Sequence, residues 1–327
     1  MVAATAQAAS ASALLGTSGA VPTAISLTTM IGVGEFPDGI AVNPRTDTIY
    51  DANESFNTIS MIDGRTNTDT GTVHVGLDPV GVAVNPRTDT IYVANQGIPE
   101  DPGTVSVIDG RTNMVTATIP VGAYPTGIAV NPRTDTIYAA NAVDCTMSVI
   151  NGRTNTVRAT VPVGCQPFGV AVNSRTGTVY VSNEQANSVT VINGRTDIVR
   201  VTVPVGAGAY GVAVNTQTGT VYVTNISDDT VSVISGRTDT VRATIPVGAG
   251  AYGVAVNPRT GTVYVPNYFS GTLSVVSGQT NAVLETVVVP GVPIQFQSNP
   301  LAASVDPRTG TIYVADAGSA KVDVYAP

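Results

Sequence analysis

Short apolar runs alternate with polar turns along almost the whole chain, and residues 125–164 contain one complete unit of this pattern. The unit holds four runs rich in β-branched residues, at 127–130, 136–140, 147–150 and 157–161. The proline after the first run lacks the N–H that a strand ladder needs, and Asn-Gly after the third run is a strong hairpin signal. The pattern predicts a meander of four antiparallel strands, which we name A to D.

This unit recurs along the chain. The segment Asn-Pro-Arg-Thr-Asp-Thr-Ile-Tyr at 131–138 has seven related copies, 42 to 49 residues apart, which start at Asn43, Asn85, Asn131, Asn173, Asn215, Asn257 and Asp306. A period of about 40 to 45 residues with short strands is typical of β-propellers. Strands A and B are almost continuously apolar, as in sheets that are covered on both faces. The sequence therefore predicts an all-β fold, a seven-bladed β-propeller of four-stranded antiparallel blades.

The ends of the B strands carry a recognisable letter pattern. Residues 222–225 spell Tyr-Val-Thr-Asn, and residues 92–95 and 180–183 are close variants. Together with the preceding Ala-Val-Asn-Pro and the later Val-Ser-Val-Ile, the pattern resembles that of the YVTN-family seven-bladed β-propellers over residues 25–327. The resemblance implies the fold. Because such propellers serve as surface-layer, binding and enzymatic scaffolds, it implies no particular catalytic residue.

The two ends of the repeat array are complementary. Residues 30–34 match the end of a D strand with no A, B or C strand before them, and residues 321–325 match a C strand at the end of the sequence. We expect the N-terminal strand to complete the last blade and so to close a single domain, residues 25–327, because closure removes free sheet edges. Residues 1–24 are expected to be a disordered or processed tail.

Composition narrows the range of partners. The net charge is −8, and Lys321 and His74 are the only lysine and the only histidine. Without a basic stripe we expect no nucleic-acid binding, and no apolar stretch of about 20 residues predicts a membrane span. One histidine excludes multi-His metal sites, so we expect no cofactor, with calcium on loop carboxylates and carbonyls as the alternative. The tail has no Lys or Arg and thus lacks the charged start of a signal peptide.

The B–C and D–A loops of a propeller lie on one rim, here named the top face, and the A–B and C–D turns lie on the opposite rim, the bottom face. The top loops diverge among the repeats and lengthen at 97–103 and 289–298. They hold the acids Glu35, Asp38, Glu54, Asp78, Glu100, Asp101, Asp144, Glu184, Asp228, Asp229 and Asp316. An acidic mouth would attract cations, amines or metal ions. Solvated carboxylates that only confer solubility are the alternative.

One position on the top face is predicted to line the central channel. The residue before the glycine of strand A is, in successive blades, Asp38, Val80, Thr126, Phe168, Tyr210, Tyr252 and Leu301. A concave apolar wall with a few polar groups is a typical small-molecule site. We therefore predict a ligand-binding set of Phe168, Tyr210, Tyr252, Tyr268, Phe269, Tyr124 and Glu54. Alternatively, the aromatic side chains plug the channel.

Strand B of blade 1 carries Asp51 where the other blades have Val or Ala. Burial without a partner raises a carboxyl pKa, as acid–base chemistry often needs. Asp38 and Asp51 are therefore the candidate catalytic pair, with a hydrogen-bonded structural role for Asp51 as the alternative. The tyrosines of the B strands are interpreted as packing between blades, and the Asn that ends most B strands as turn-forming.

The two cysteines map to neighbouring loops of the top face, Cys145 in the B–C loop of blade 3 and Cys165 in the D–A loop that follows it. A disulfide and two unpaired thiols are both compatible with this placement. A disulfide would favour an oxidising compartment, and hence a secreted or cell-surface location.

Three functions fit these features. The first is a propeller, expected to be a monomer, that binds a small-molecule or protein ligand with its acidic, aromatic-lined top face. The second is an enzyme (a lyase, cyclase or hydrolase) that acts on an aromatic or cationic small molecule with Asp38 and Asp51 as acid and base. The third is a structural surface-layer module.

Overall fold

The computed structural model describes residues 24–98, 102–290 and 299–327, which form seven four-stranded antiparallel sheets. The innermost strand of each sheet packs against the innermost strand of the next, and that of the seventh packs against that of the first. The sheets are therefore the blades of a closed ring. This confirms the predicted seven-bladed β-propeller, and among the described residues the helical content is a single short 3₁₀ turn at Glu54–Phe56.

The strands follow the predicted order along the chain. The chain starts with β1 (Ser26–Gly32), and blade 1 holds β2 (Pro37–Asn43), β3 (Thr48–Asn53), β4 (Thr58–Asp63) and β5 (Thr68–His74). Blade 2 holds β6 (Pro79–Asn85), β7 (Thr90–Asn95), β8 (Thr104–Asp109) and β9 (Met114–Pro120), and blade 3 holds β10 (Pro125–Asn131), β11 (Thr136–Asn141), β12 (Thr146–Asn151) and β13 (Thr156–Pro162).

The second half of the ring is built in the same way. Blade 4 holds β14 (Pro167–Asn173), β15 (Thr178–Asn183), β16 (Ser188–Asn193) and β17 (Ile198–Pro204), and blade 5 holds β18 (Ala209–Val214), β19 (Thr220–Asn225), β20 (Thr230–Ser235) and β21 (Thr240–Pro246). Blade 6 holds β22 (Ala255–Val256), β23 (Thr262–Asn267), β24 (Thr272–Ser277) and β25 (Ala282–Val288), and blade 7 holds β26 (Pro300–Val305), β27 (Ile312–Asp316), β28 (Lys321–Ala326) and β1.

The ring closes as the sequence predicts. Strand β1 pairs antiparallel with β28, from Ser26 opposite Ala326 to Gly32 opposite Lys321, and so supplies the outer strand of blade 7. The predicted tail lies outside the described residues except for Ala24, as do residues 99–101 and 291–298 of the two long top loops. Within the described part of the chain, no helix is long and apolar enough to cross a membrane.

The core lies between the blades. Tyr50 and Ala52 of blade 1, for example, pack against Ile91 and Val93 of blade 2, and similar clusters fill the other junctions. The seven tyrosines at the centre of strand B are at most 1% exposed, as the packing interpretation requires. Each buries a large ring, which makes these residues major contributors to the stability of the ring.

Glycines in strand A let neighbouring blades approach closely at the axis. A Cβ at Gly127 would lie 2.2 Å from the carbonyl oxygen of Phe168, and one at Gly169 would lie 2.7 Å from that of Tyr210. Such separations are far below a van der Waals contact, so a larger residue would push the inner strands apart. The narrow spacing brings the residues that precede these glycines together around the channel.

The last residue of strand B is tied to strand C in six blades. The side-chain nitrogen of Asn53 donates to the Ser60 hydroxyl at 3.0 Å, a bond that we name the strand clasp. Equivalent clasps of 2.9 to 3.0 Å join Asn95 to Ser106, Asn141 to Ser148, Asn183 to Thr190, Asn225 to Ser232 and Asn267 to Ser274. This Asn therefore links two strands, a role that the turn-forming interpretation did not include. In blade 7 the two equivalent positions hold Asp316 and Asp323.

Candidate functional site

Backbone hydrogen bonds join the loops of the top face. The nitrogen of Glu54, after strand B of blade 1, donates to the carbonyl of Phe36 in the preceding D–A loop at 3.1 Å, and Gln96 donates in the same way to Asp78 at 2.9 Å. The B–C and D–A loops thus lie together on one rim, as predicted. Two rings of residues surround the mouth of the channel: the one before each strand A glycine and the one after each strand B.

Five predicted ligand-binding residues form one continuous row of rings across blades 4 to 6, which we name the aromatic row. The centroid distance is 3.5 Å between Phe168 and Tyr210 and 3.9 Å between Tyr210 and Tyr252. It is 5.6 Å between Tyr252 and Tyr268 and 5.2 Å between Tyr268 and Phe269. The two longer separations lie in the range in which aromatic pairs are favourable beyond the area that they bury.

Polar contacts fix the row in place. The Tyr210 hydroxyl donates to the Tyr252 hydroxyl. Below the rings, the Thr224 hydroxyl donates to the Tyr252 carbonyl at 2.6 Å, and the Ser182 hydroxyl donates to the Tyr210 carbonyl. Blades 4 and 5 have these hydroxyl side chains where blades 1 to 3 have alanine. The blades whose strand B carries a hydroxyl side chain in place of alanine are therefore the blades next to which the aromatic residues lie.

The candidate acids lie in blade 1. Asp51, on β3, is fully buried, and neither of its carboxylate oxygens has a hydrogen-bond partner among the described residues. Burial first, and the charge of Asp38 second, raise the pKa of Asp51 well above its ordinary value. The hydrogen-bonded alternative for Asp51 is thus not what the structure contains. Burial therefore favours the protonated form of this carboxyl.

Asp38, at the start of β2, is half-buried, and protein surrounds its carboxyl. Burial and then the charge of Glu54 raise the pKa of Asp38 to about 7. Asp38 therefore changes charge near neutral pH, and the pKa of Asp51 beside it is raised as well.

The acids and the aromatic row face the same space. Burial, followed by Tyr252 and then by the charge of Asp38, raises the pKa of Tyr210. Burial and then Asp38 raise the pKa of Tyr252. The charge of Asp38 therefore acts on both hydroxyls, so the acids of blade 1 and the aromatic row lie within electrostatic range of each other.

Tyr124 and Glu54, the other two predicted ligand-binding residues, flank this space. Tyr124 is 45% exposed on the D–A loop before blade 3, and its pKa is raised by burial, then by Glu54, Asp78 and Asp38. Burial and then Asp78 raise the pKa of Glu54. The structure thus places Tyr124 beside the acids of blade 1, not within the aromatic row.

A top-face cavity of about 440 Å³ opens between blades 3 and 4. Its walls are Tyr124, Ala142, Val143, Cys145, Gln166, Phe168, Glu184 and Gln185. It joins Tyr124 to Phe168, the first ring of the aromatic row. The lining residues Gln166 and Gln185 were not among the predicted ligand-binding residues, although the divergence of these loops from the repeat is the sequence signal that marks them.

Metal-binding groups are not apparent in the described ranges, where no cluster of three or more His, Cys, Asp or Glu side chains could hold an ion. The calcium alternative therefore stays an untested prediction. His74 ends β5 on the outside of blade 1 and is exposed, far from the mouth.

Comparison with known proteins supports the fold. No family model and no curated protein sequence matches the chain. Among solved structures, a chain of hydrazine synthase from Kuenenia stuttgartiensis superposes with a TM-score of 0.76 at 19% identity, over 94% of this chain and 98% of that one. At that identity the likeness shows the fold alone. The protein is a seven-bladed β-propeller, a fold that suits a binding scaffold, and the YVTN resemblance is carried by its sequence motifs.

Proposed function

We propose that this propeller binds a small organic cation in the mouth of its channel, between Asp38 and the aromatic row. The observation that carries the proposal is that two unlike walls lie within electrostatic range of each other. Blade 1 supplies a cluster of carboxyls, and blades 4 to 6 supply an unbroken row of rings, in which the charge of Asp38 acts on the hydroxyls of Tyr210 and Tyr252. The proposal deepens the predicted role of a ligand-binding top face.

The chemistry of the two walls suits an ammonium group. Cation–π contacts with aromatic faces contribute about 0.5 to 2 kcal/mol, depending on how far the cation is desolvated. A carboxylate on the opposite side adds a charge-assisted contact. Glu54 beside Asp38 and Glu184 beside Phe168 increase the negative potential of the mouth. A neutral ligand of the same shape would gain neither contribution.

The raised pKa of Asp38 makes binding depend on pH. Below about pH 7 this carboxyl is protonated and offers no charge, and above it the carboxylate can pair with the cation. Binding of a cation therefore favours the ionised form and releases a proton. Affinity should rise as the pH passes through neutrality.

Calorimetric titration with choline and with its uncharged isostere 3,3-dimethylbutanol tests the proposal. We expect wild type to bind choline more tightly, and Asp38→Asn or Tyr252→Leu to weaken binding about tenfold, which corresponds to about 1.4 kcal/mol. Glu35→Gln, an exposed acid of the same face, is the matched control and should bind as wild type does. Equal affinity for the two ligands, or unchanged choline binding by Asp38→Asn, would show that the mouth does not select for charge.

The raised pKa of Asp38 in blade 1 favours a second candidate function, catalysis. A carboxyl with a pKa of about 7 suits general acid–base catalysis at neutral pH. Asp38 would exchange the proton with the bound ligand, in a lyase, cyclase or hydrolase reaction, with the buried carboxyl of Asp51 beside it. A structural surface-layer module would need neither a buried acid nor an aromatic row. Turnover of any ligand that wild type binds, with none by Asp38→Asn, would distinguish the enzyme from the binding protein.

A further inference from the structure

Three blades tie their B–C loop to the following D–A loop with one side chain, a bond that we name the loop tether. The Asn57 side-chain oxygen accepts from the nitrogen of Asp78 at 2.9 Å. In blades 4 and 5 the equivalent bonds run from Gly208 to Asn187 at 2.8 Å and from Gly250 to Asp229 at 2.7 Å. Each acceptor residue has a left-handed backbone, with φ of 56°, 48° and 54°, a conformation that Asn and Asp tolerate well.

Blade 3 has Cys145 in the place of this acceptor, with the same left-handed backbone at φ 53°. A thiol is a weak acceptor and cannot replace the amide or carboxylate oxygen of the loop tether. The residue that would donate is Gln166, and the residue before it is Cys165. The backbone nitrogen of Val163 donates to the Cys145 carbonyl at 3.0 Å, which holds the two loops side by side.

The two thiols are neighbours. The Cys145 thiol raises the pKa of the Cys165 thiol, first through a hydrogen bond and second through its charge. No disulfide joins the two cysteines in this structure, where Cys145 is partly exposed and Cys165 is exposed. The position of Cys165 holds Leu77, Ala207 or Ala249 in the blades that use the loop tether. The second cysteine thus occurs in the one repeat in which the first replaces the acceptor.

We propose that Cys145 and Cys165 form a reversible disulfide site, that its oxidant is a small-molecule disulfide, and that its closure replaces the loop tether with a covalent bond. The D–A loop fixed in this way carries Gln166 and leads to Phe168. These two residues and Cys145 line the same top-face cavity. The redox state of the pair therefore sets how firmly one wall of that cavity is held. This inference does not depend on the proposed cation binding.

The reaction balances as two thiol–disulfide exchanges. Cys165, the more exposed thiol, loses its proton, and its sulfur attacks one sulfur of the small disulfide and expels one thiolate. The deprotonated Cys145 sulfur then attacks the Cys165 sulfur of this mixed disulfide and expels the second thiolate. The two protein thiols are oxidised, the small disulfide is reduced, and the two released protons convert the leaving thiolates to thiols.

Treatment of the reduced full-length chain with glutathione disulfide tests the site. We expect both thiols to disappear, the chain to become lighter by two hydrogen atoms, and peptide mapping without reductant to join Cys145 to Cys165. Closure of a loop of this size should raise the melting temperature by about 5 °C. Amide hydrogen exchange in residues 163–166 should slow. A lasting glutathione adduct on Cys165, or a disulfide between two copies of the chain, would overturn the proposal.

Two variants distinguish the effect of the disulfide from the effect of merely changing residue 145. Cys145→Ser removes the resolving thiol, so the glutathione adduct on Cys165 should persist. Cys145→Asn installs the acceptor that blades 1 and 4 use, and it should raise the melting temperature of the reduced protein and abolish its response to glutathione disulfide. If oxidised wild type melts at the same temperature as the reduced protein, the disulfide does not fix the loop and the tether argument is wrong.

Discussion

Blade 7 replaces the strand clasp of the other six blades with two acids, Asp316 and Asp323, and restoring the clasp should stabilise the protein at neutral pH. Asp323 is fully buried, and its two carboxylate oxygens have no hydrogen-bond partner among the described residues. Asp316 is fully buried too and accepts from the backbone nitrogens of Asn299 and Gly318 at 2.8 and 3.1 Å. The double variant Asp316→Asn/Asp323→Ser keeps an oxygen for those donors and supplies the donor and acceptor of a clasp.

The magnitude follows from the pKa of Asp323. Burial first and Asp316 second raise this pKa from 3.8 to about 7, against the opposing effect of Lys321. The folded chain therefore holds a proton that the unfolded chain releases above about pH 4. Stability from this group is greatest below pH 4, falls as the pH rises, and is lowest above pH 7. The interval between the two pKa values corresponds to at most about 4 kcal/mol.

Urea unfolding at several values between pH 4 and pH 8 measures the effect. Relative to wild type, the double variant should gain stability progressively with pH, by up to about 4 kcal/mol above pH 7. The reciprocal change in blade 6, Asn267→Asp/Ser274→Asp, should transplant the pH dependence to an ordinary clasp. Parallel stability curves for wild type and the blade 7 variant would refute the reasoning, because they would show that Asp323 titrates alike in the folded and unfolded chains.

Three further predictions test other parts of the molecule. The affinity for choline should increase between pH 6 and pH 8 in wild type and stay constant in Asp38→Asn, and a parallel increase in both would exclude Asp38 as its cause. Gly169→Ala should destabilise the ring by about 2 kcal/mol, because its Cβ would lie 2.7 Å from the Tyr210 carbonyl. Gly32→Ala, where no atom lies within 4 Å, is the control and should change unfolding in urea little. Deletion of residues 25–34 should sharply lower the melting temperature, since it removes the outer strand of blade 7; an unchanged value would contradict the closure.

The sequence predicted the fold well because the information is local and repeated. Strand lengths, turns and the closing strand follow from patterns within about 45 residues, and seven copies reinforce each other. The strand clasp could not be found in this way. Asn53 and its partner Ser60 lie on adjacent strands, but the same Asn is equally consistent with turn chemistry in the sequence.

For the candidate site, the sequence predicted only where each residue lies around the central channel. Alignment of the repeats places Phe168, Tyr210 and Tyr252 at successive points around the channel, and the structure brings all three into ring contact. Side-chain direction is not encoded in the period, so the separation of Tyr124 from the row could not be derived. The cavity between blades 3 and 4 depends on the packing of two loops from different repeats, and it too required the structure.

Comparison of the seven blades at one position shows which residue the fold itself requires there. Five of the other six blades place valine where blade 1 has Asp51, and six blades place Ser or Thr where blade 7 has Asp323, so the fold itself requires neither acid. A buried carboxyl without a partner destabilises the folded chain, whereas the residue of the repeat would not. Positions that break a local rule without an evident structural gain are characteristic of functional sites. Asp51 lies next to Asp38, at the mouth that the aromatic row faces, and this coincidence of an unfavourable acid with a specialised surface is the reason to look for function there.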